Sequence, residues 1–196
     1  MKKGLLIASI VLVVVAGLVM WCMGAYNGMV TAEEQVNESW SNVENQYQRR
    51  ADLIPNLVST VKGYATHEST TLENVVAARS KATSTTISLD NLDEATLQKY
   101  QSAQGELSQA LGRLLAITES YPDLKANQNF MELQAELSGT ENRITVARNR
   151  YNEIARQFNV TIRRFPAVIM AGMAGFDKKP YFQAEAGSQS APKVEF

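Results

Sequence analysis

The chain has 196 residues, 45% apolar and 20% charged, with a formal net charge of -1; this is ordinary for a folded protein and enough for one domain with a sizeable core plus an accessory segment. With Lys2 and Lys3 set aside, 17 of the 19 basic residues remain against 20 acidic ones, net -3, which excludes the strongly basic footprint of a nucleic-acid module. The single cysteine, Cys22, excludes an intramolecular disulfide and a one-chain cysteine zinc cluster.

Residues 1–24 read MKKGLLIASIVLVVVAGLVMWCMG. Residues 5–23 carry no charge. As a helix at ~1.5 Å per residue they span about 28 Å, close to the ~30 Å hydrocarbon core of a bilayer. Trp21 stands near the far end, where an interfacial aromatic is favoured. Two lysines precede the run, and the next charges are Glu33 and Glu34. The positive-inside rule therefore predicts a cytoplasmic N-terminus and a periplasmic or extracytoplasmic domain on the bacterial inner membrane. The run is longer than the 7–15 residue core of a signal peptide, and Trp21 before Cys22 argues against lipidation. A retained single-pass anchor is the expectation; cleavage after Gly24 or Ala25 is the alternative.

The rest of the chain keeps a helical beat. A first seam runs Tyr26, Met29 or Val30, Glu33, Val36, Trp40, Val43, Tyr47. A second runs Ile54, Leu57, Val61, Tyr64, Glu68, Thr71, Val75, Ala78, Ala82. Between them, Asp52 can cap a new helix with Pro55 in its first turn, so a turn is expected between Arg50 and Leu53; one helix kinked at Pro55 is the alternative. Residues 83–95, rich in Ser, Thr, Asn and Asp, read as a loop ending at an Asp93 cap. A third seam runs Leu97, Tyr100, Gln104, Leu107, Leu111, Leu114, Thr118, Tyr121, and residues 120–129 form the next loop. The last seam runs Phe130, Leu133, Leu137, Thr140, Ile144, Ala147, Tyr151, Ile154, Phe158, Thr161, Phe165, a heptad repeat stopped by Pro166.

These elements predict an all-α fold: an N-terminal transmembrane helix (1–24), then an antiparallel up-and-down four-helix bundle of long helices (25–166) with coiled-coil-like seams. Residues 167–196 form an apolar juxtamembrane run and a polar tail. Parity brings the fourth helix back to the membrane. The uncharged run 167–176, with Val168, Ile169, Met170, Met173 and Phe176, is too short to span a bilayer. It is a candidate for membrane or oligomer contact, or for packing under the bundle. In the tail, Tyr181 and Phe182 are a candidate docking point on an otherwise mobile segment.

No catalytic constellation emerges. His67 is the only histidine, so neither a two-histidine zinc helix nor a di-iron bundle can be completed. Glu119, Asp123, Glu132, Glu136 and Glu141 lack the glycine-centred loop of a calcium hand and read as a solvated face. Glu68, on an apolar seam, is expected to pair with Arg79, Arg143 or Arg148 as a register-fixing ion pair. Arg49, Arg50 and Asp52 form a charged corner, structural or partner-binding. Asn142, Asn149, Asn152 and Asn159 either cross-link helices or form a recognition surface.

Residues 26–68, YNGMVTAEEQVNESWSNVENQYQRRADLIPNLVSTVKGYATHE, the AARS at 77–80, residues 119–159, ESYPDLKANQNFMELQAELSGTENRITVARNRYNEIARQFN, and the FP at 165–166 resemble the bacterial LemA family. The resemblance implies a single N-terminal anchor with a helical-bundle domain, a membrane or cell-envelope setting, and no enzyme activity, cofactor or catalytic residue. The expected function is a non-enzymatic, membrane-anchored, self-associating scaffold that touches the bilayer, other copies and an envelope partner, but no nucleic acid. A regulator or adaptor of an envelope protease or signalling protein is the alternative, with a metal protein or enzyme third.

Overall fold

A computed structural model of the chain describes residues 2–65, 67–87 and 92–183, and every element among them is helical. The helices are α1 (Lys2–Lys62), α2 (Ser69–Ser84), α3 (Glu94–Thr118), α4 (Pro122–Lys125), α5 (Gln128–Arg163) and α6 (Ala167–Ala174). The start of α1 is the one stretch among the described residues long and apolar enough to cross a membrane.

The expected turn between Arg50 and Leu53 is absent. Helix α1 runs through Pro55 and ends at Lys62. Proline removes the bond its N–H would make to the carbonyl four residues back, here that of Ala51. That carbonyl is buried, and the Arg79 Nε–H on α2 donates to it at 2.8 Å. The helix thus continues because another helix replaces its missing donor. Asp52 does not cap; its carboxylate accepts from Gln48 Nε2 one turn earlier at 2.8 Å. The break falls instead between the end of α1 at Lys62 and the start of α2 at Ser69, inside the expected second seam, where Gly63, Tyr64 and Ala65 turn back onto the carbonyls of Thr60 and Val61.

The described residues divide into two compact units. One comprises Asn42–Asn152 with the segment from Pro180. Its hydrophobic core draws Ile54, Leu57 and Val61 from α1, Leu72 and Val75 from α2, Leu107, Leu111 and Leu114 from α3, Leu124 from α4, and Phe130 and Leu137 from α5. The third seam is buried as expected from Leu97 to Thr118. Asp93 caps α3, its carboxylate accepting from Thr96 N–H at 2.6 Å. Asn127 does the same for α5, accepting from Phe130 N–H at 3.0 Å. The second seam fails at Tyr64, which is exposed, because the chain is no longer helical there.

The other unit comprises residues up to Ser41 with Glu153–Lys179. It buries Met29, Val36 and Trp40 of α1, Ala155, Phe158 and Ile162 of α5, and Ala171 of α6. Gly175 closes α6 with φ +78°, a left-handed conformation that suits glycine. Phe165 is not part of the seam: it lies beyond α5 and is 82% exposed. An α-helix drifts ~20° per heptad from a strict seven-residue repeat. The buried stripe accordingly slips by one residue late in α5, to Ala155, Asn159 and Ile162.

Arg79→Ala leaves the Ala51 carbonyl buried without a donor and should cost about 1.5–3 kcal/mol in chemical denaturation. Pro55→Ala restores the backbone N–H, so the Arg79→Ala cost should fall markedly in that background. Additive costs in the double-mutant cycle would sink this account.

Candidate functional site

The first unit holds a buried polar centre built from three helices. Tyr47 and Arg50, one turn apart, come from α1; Tyr100, Gln104 and Ser108 from successive turns of α3; Glu141 and Arg148 from α5. Arg50 is 1% exposed. Its Nη1 donates to Ser108 Oγ at 2.8 Å and to the Glu141 carboxylate. Its Nη2 donates to Gln104 Oε1 at 2.6 Å and to the Gln104 carbonyl at 3.2 Å. The guanidinium lies 5.1 Å from the centroid of the Tyr47 ring, which meets Tyr100 edge-on at 5.4 Å. Burial pushes the Tyr100 phenol far above its ordinary range, with Tyr47 and Glu44 adding to the shift and Arg50 opposing it. Gln104 works on both sides, its Nε2 donating to the Ala82 carbonyl in the last turn of α2 at 3.3 Å. That carbonyl is one of the four that a helix end leaves without an intrahelical donor.

Beside this centre opens a polar cleft of about 440 Å³ lined by Arg50, Gln101, Ser108, Glu141, Arg148 and Gln183, among others. The segment that follows Pro180 is tied down at its edge. Asn152 receives the Phe182 N–H at 2.8 Å and donates to the Phe182 carbonyl at 2.9 Å. Arg148 and Gln101 each donate to the Gln183 carbonyl at 3.0 Å, and the Arg148 guanidinium lies 5.0 Å from the Phe182 ring centroid. Tyr151 donates its hydroxyl proton to the Pro180 carbonyl at 3.1 Å. In the other unit Asn159 repeats the device on Lys179, taking its N–H and giving to its carbonyl, both at 2.8 Å. A side-chain amide supplies the donor and acceptor that an irregular backbone otherwise lacks.

Residues 39–196 match the LemA family. The chain belongs to the LemA family. Among relatives, it is 30% identical over 174 residues to Magnetosome protein MamQ of Magnetospirillum gryphiswaldense, covering 80% of this chain and 64% of the relative. It is 28% identical over 175 residues to Magnetosome protein MamQ 2 of Paramagnetospirillum magneticum, covering 81% and 64%. It is 26% identical over 143 residues to Protein LemA of Metamycoplasma hominis, covering 73% and 62%. The chain spans just under two thirds of the length of these relatives.

For this LemA-family chain, the structure brings Arg50 and Glu141 together and places Arg148 on the same cleft. Arg49 lies outside it, paired with Glu136 at 2.7 Å on an exposed face that Arg143 also reaches. Glu68 does not meet Arg79, Arg143 or Arg148; its carboxylate accepts from the Tyr121 hydroxyl at 3.1 Å, because Arg79 is engaged at Ala51 and Arg143 at Glu136. Asn142 is exposed. Asn152 and Asn159 hold the chain after α6 through the backbone of Phe182 and Lys179. Phe182 is thereby buried rather than a free docking point, and residues 184–196 of the expected tail lie outside the described residues. Gln104 and Ser108 were not singled out from sequence. The available signal was a glutamine on an otherwise apolar seam, where a polar side chain needs a buried partner.

Arg50→Ala should cost on the order of 3–5 kcal/mol, since it strands polar groups from two neighbouring helices. Arg50→Lys should recover part of this, and Glu141→Gln should cost least, because Glu141 is 46% exposed. A thermal melt of Arg50→Ala within a degree of the parent would sink this order. A second expectation concerns acid. Hydrogen bonding from Arg49, aided by Arg143, holds the Glu136 carboxyl below its ordinary value of 4.5. A depressed folded value means the stabilisation is present above the ordinary value and is lost as pH falls through the lower one. Acid titration of stability should therefore be flatter in Arg49→Ala/Arg143→Ala than in the parent.

Proposed function

We propose that this LemA-family chain is a non-enzymatic, membrane-anchored helical scaffold or interaction protein of the bacterial cell envelope. In this reading a single transmembrane helix carries an antiparallel up-and-down four-helix bundle that self-associates. The observation that carries the reading is the bare apolar surface of α1. Leu5, Leu12 and Met20 are 72%, 71% and 69% exposed, and no part of the most apolar 18-residue window is covered by the chain itself. Such a surface needs lipid or another chain to cover it.

Two further observations support the non-catalytic part. The most buried charged group, Arg50, is engaged by Ser108, Gln104 and Glu141, a structural use rather than a poised one. The relatives' names speak of a magnetosome and of LemA, not of a reaction. The sidedness, an N-terminus in the cytoplasm and the domain outside the inner membrane, rests on Lys2 and Lys3 before the span and on Glu33 and Glu34 as the first charges after it. The alternative reading, an adaptor of an envelope protease or signalling protein, is favoured by the open polar cleft beside Arg148.

The test is protease accessibility on spheroplasts with a tag after Phe196. Digestion in intact spheroplasts is expected; protection until lysis would invert the proposed sidedness. Cross-linking in lipid should give multimers, and monomers alone would remove self-association. A membrane pull-down in which Arg148→Ala loses a stoichiometric protein would move the adaptor to first place.

A further inference from the structure

In the unit formed by residues up to Ser41 and Glu153–Lys179, polar side chains are buried while large apolar ones on and just before α6 are exposed. Asn159 is 2% exposed, and the Lys179 side chain 12%. Lys179 Nζ is paired with Glu33 at 2.7 Å and sits 5.7 Å from the Phe158 ring centroid. Outside are Phe165 (82% exposed), Met173 (80%), Ile169 (57%) and Val168 (43%). Val168, Ile169 and Met173 fall within roughly 140° of one side of the helix at ~100° per residue. Ala171 is the buried contact of the opposite side.

The position of α6 along α1 is set by an aromatic contact. The Phe176 ring, just after α6, lies 5.8 Å from that of Tyr26 and 6.3 Å from that of Phe158. Tyr26 is three residues beyond Met23, the last residue of the 5–23 span, about 4.5 Å of helical rise. The C-terminal end of α6 is therefore held against α1 just past the span, the level at which headgroups meet acyl chains if residues 5–23 cross the bilayer. Arg163 and Arg164, both exposed, immediately precede Phe165. Cations beside exposed apolar residues are the composition of a segment that lies in the interface of an anionic membrane.

We propose that Phe165 and α6 form an interfacial lipid-binding element. Phe165, Val168, Ile169 and Met173 insert at the headgroup–acyl boundary, and Arg163 and Arg164 contact anionic headgroups. The proposal rests on the reading of residues 5–23 as a membrane span. The occupant is lipid rather than a second copy, because α6 is anchored by Phe176 on Tyr26, just past the span, and the patch carries flanking positive charge.

The experiment uses the full chain with Cys22→Ala and a single environment-sensitive fluorophore at Phe165→Cys, Met173→Cys or, as control, Val146→Cys, an exposed apolar site far from α6 in sequence. Each is reconstituted at one chain per nanodisc of phosphatidylcholine with or without phosphatidylglycerol. Expected are a blue shift, quenching by lipid-borne spin labels and loss of iodide quenching at 165 and 173, none of these at 146, and an anionic-lipid enhancement lost in Arg163→Gln/Arg164→Gln. Labels at 165 and 173 that stay open to iodide at one chain per disc overturn the proposal, whether or not a second copy covers them at higher loading. Carbonate extraction of the same chain separates the two levels. A chain that stays in the membrane with both labels in water refutes only the α6 element, whereas release from the membrane refutes the span as well.

Discussion

Burying a guanidinium is the constraint around which the larger unit is arranged. An arginine cannot lose its charge in a protein and carries five donors in a fixed fork. Placed at 1% exposure, Arg50 demands acceptors from more than one direction. Gln104 and Ser108 answer from α3, and Glu141 from α5. Each answer fixes a helix rotation, since a shift of one residue would swing these side chains by about 100°. Gln104 then passes the constraint on to the end of α2 through the Ala82 carbonyl. The apolar core supplies the driving force for packing, and the polar centre selects one rotation among several that would bury similar area.

The same logic explains which parts of the fold were legible in the sequence. The third seam was read correctly because α3 is regular from an Asp93 cap onward, and periodicity is a local signal. The boundary in α1 was misread for a non-local reason. Pro55 preceded by Asp52 is a good local start for a helix, but the Arg79 donor that lets the chain run on is 28 residues from Ala51 and invisible to local pattern. The true break, between Lys62 and Ser69, is marked only by Gly63 and by the poor fit of Tyr64 and Glu68 to a buried seam. Late in α5 a 3.5-residue beat drifts by ~20° per heptad against a straight helix, which moves the buried stripe from Ile154 to Ala155, and Phe165 lies past the end of the helix altogether.

Of the candidate site, the charged members are legible in the sequence and their pairing is not. Arg50, Glu141 and Arg148 were visible as charges in motifs, yet nothing local joins positions 50 and 141, or 148 and 183. Two of the polar residues on apolar seams, Glu33 and Gln104, were better indicators than Glu68, whose carboxylate meets the Tyr121 hydroxyl rather than an expected arginine. Glu33 and Gln104 each have a partner in the folded chain, Lys179 and Arg50 respectively. The asparagines of α5 carried a signal whose targets include irregular backbone as well as other helices. The amides of Asn159 and Asn152 pair with the backbone N–H and C=O groups of Lys179 and Phe182.

Those amides also account for the outward face of α6. Once Asn159 grips Lys179 and Phe176 packs on Tyr26, the segment leaving α6 is fixed, and Gly175 turns the chain toward it. The helix is left with only its Ala171 side to bury. Fully burying a large apolar side chain is worth about 1.5–3 kcal/mol relative to leaving it in water. Phe165, Ile169 and Met173 forgo most of that while a lysine and an asparagine occupy the interior. A water-facing α6 would have the opposite composition. That exposure costs little where the medium outside α6 is itself apolar, as proposed for residues 5–23 of α1, and the two bare surfaces then have a single physical cause.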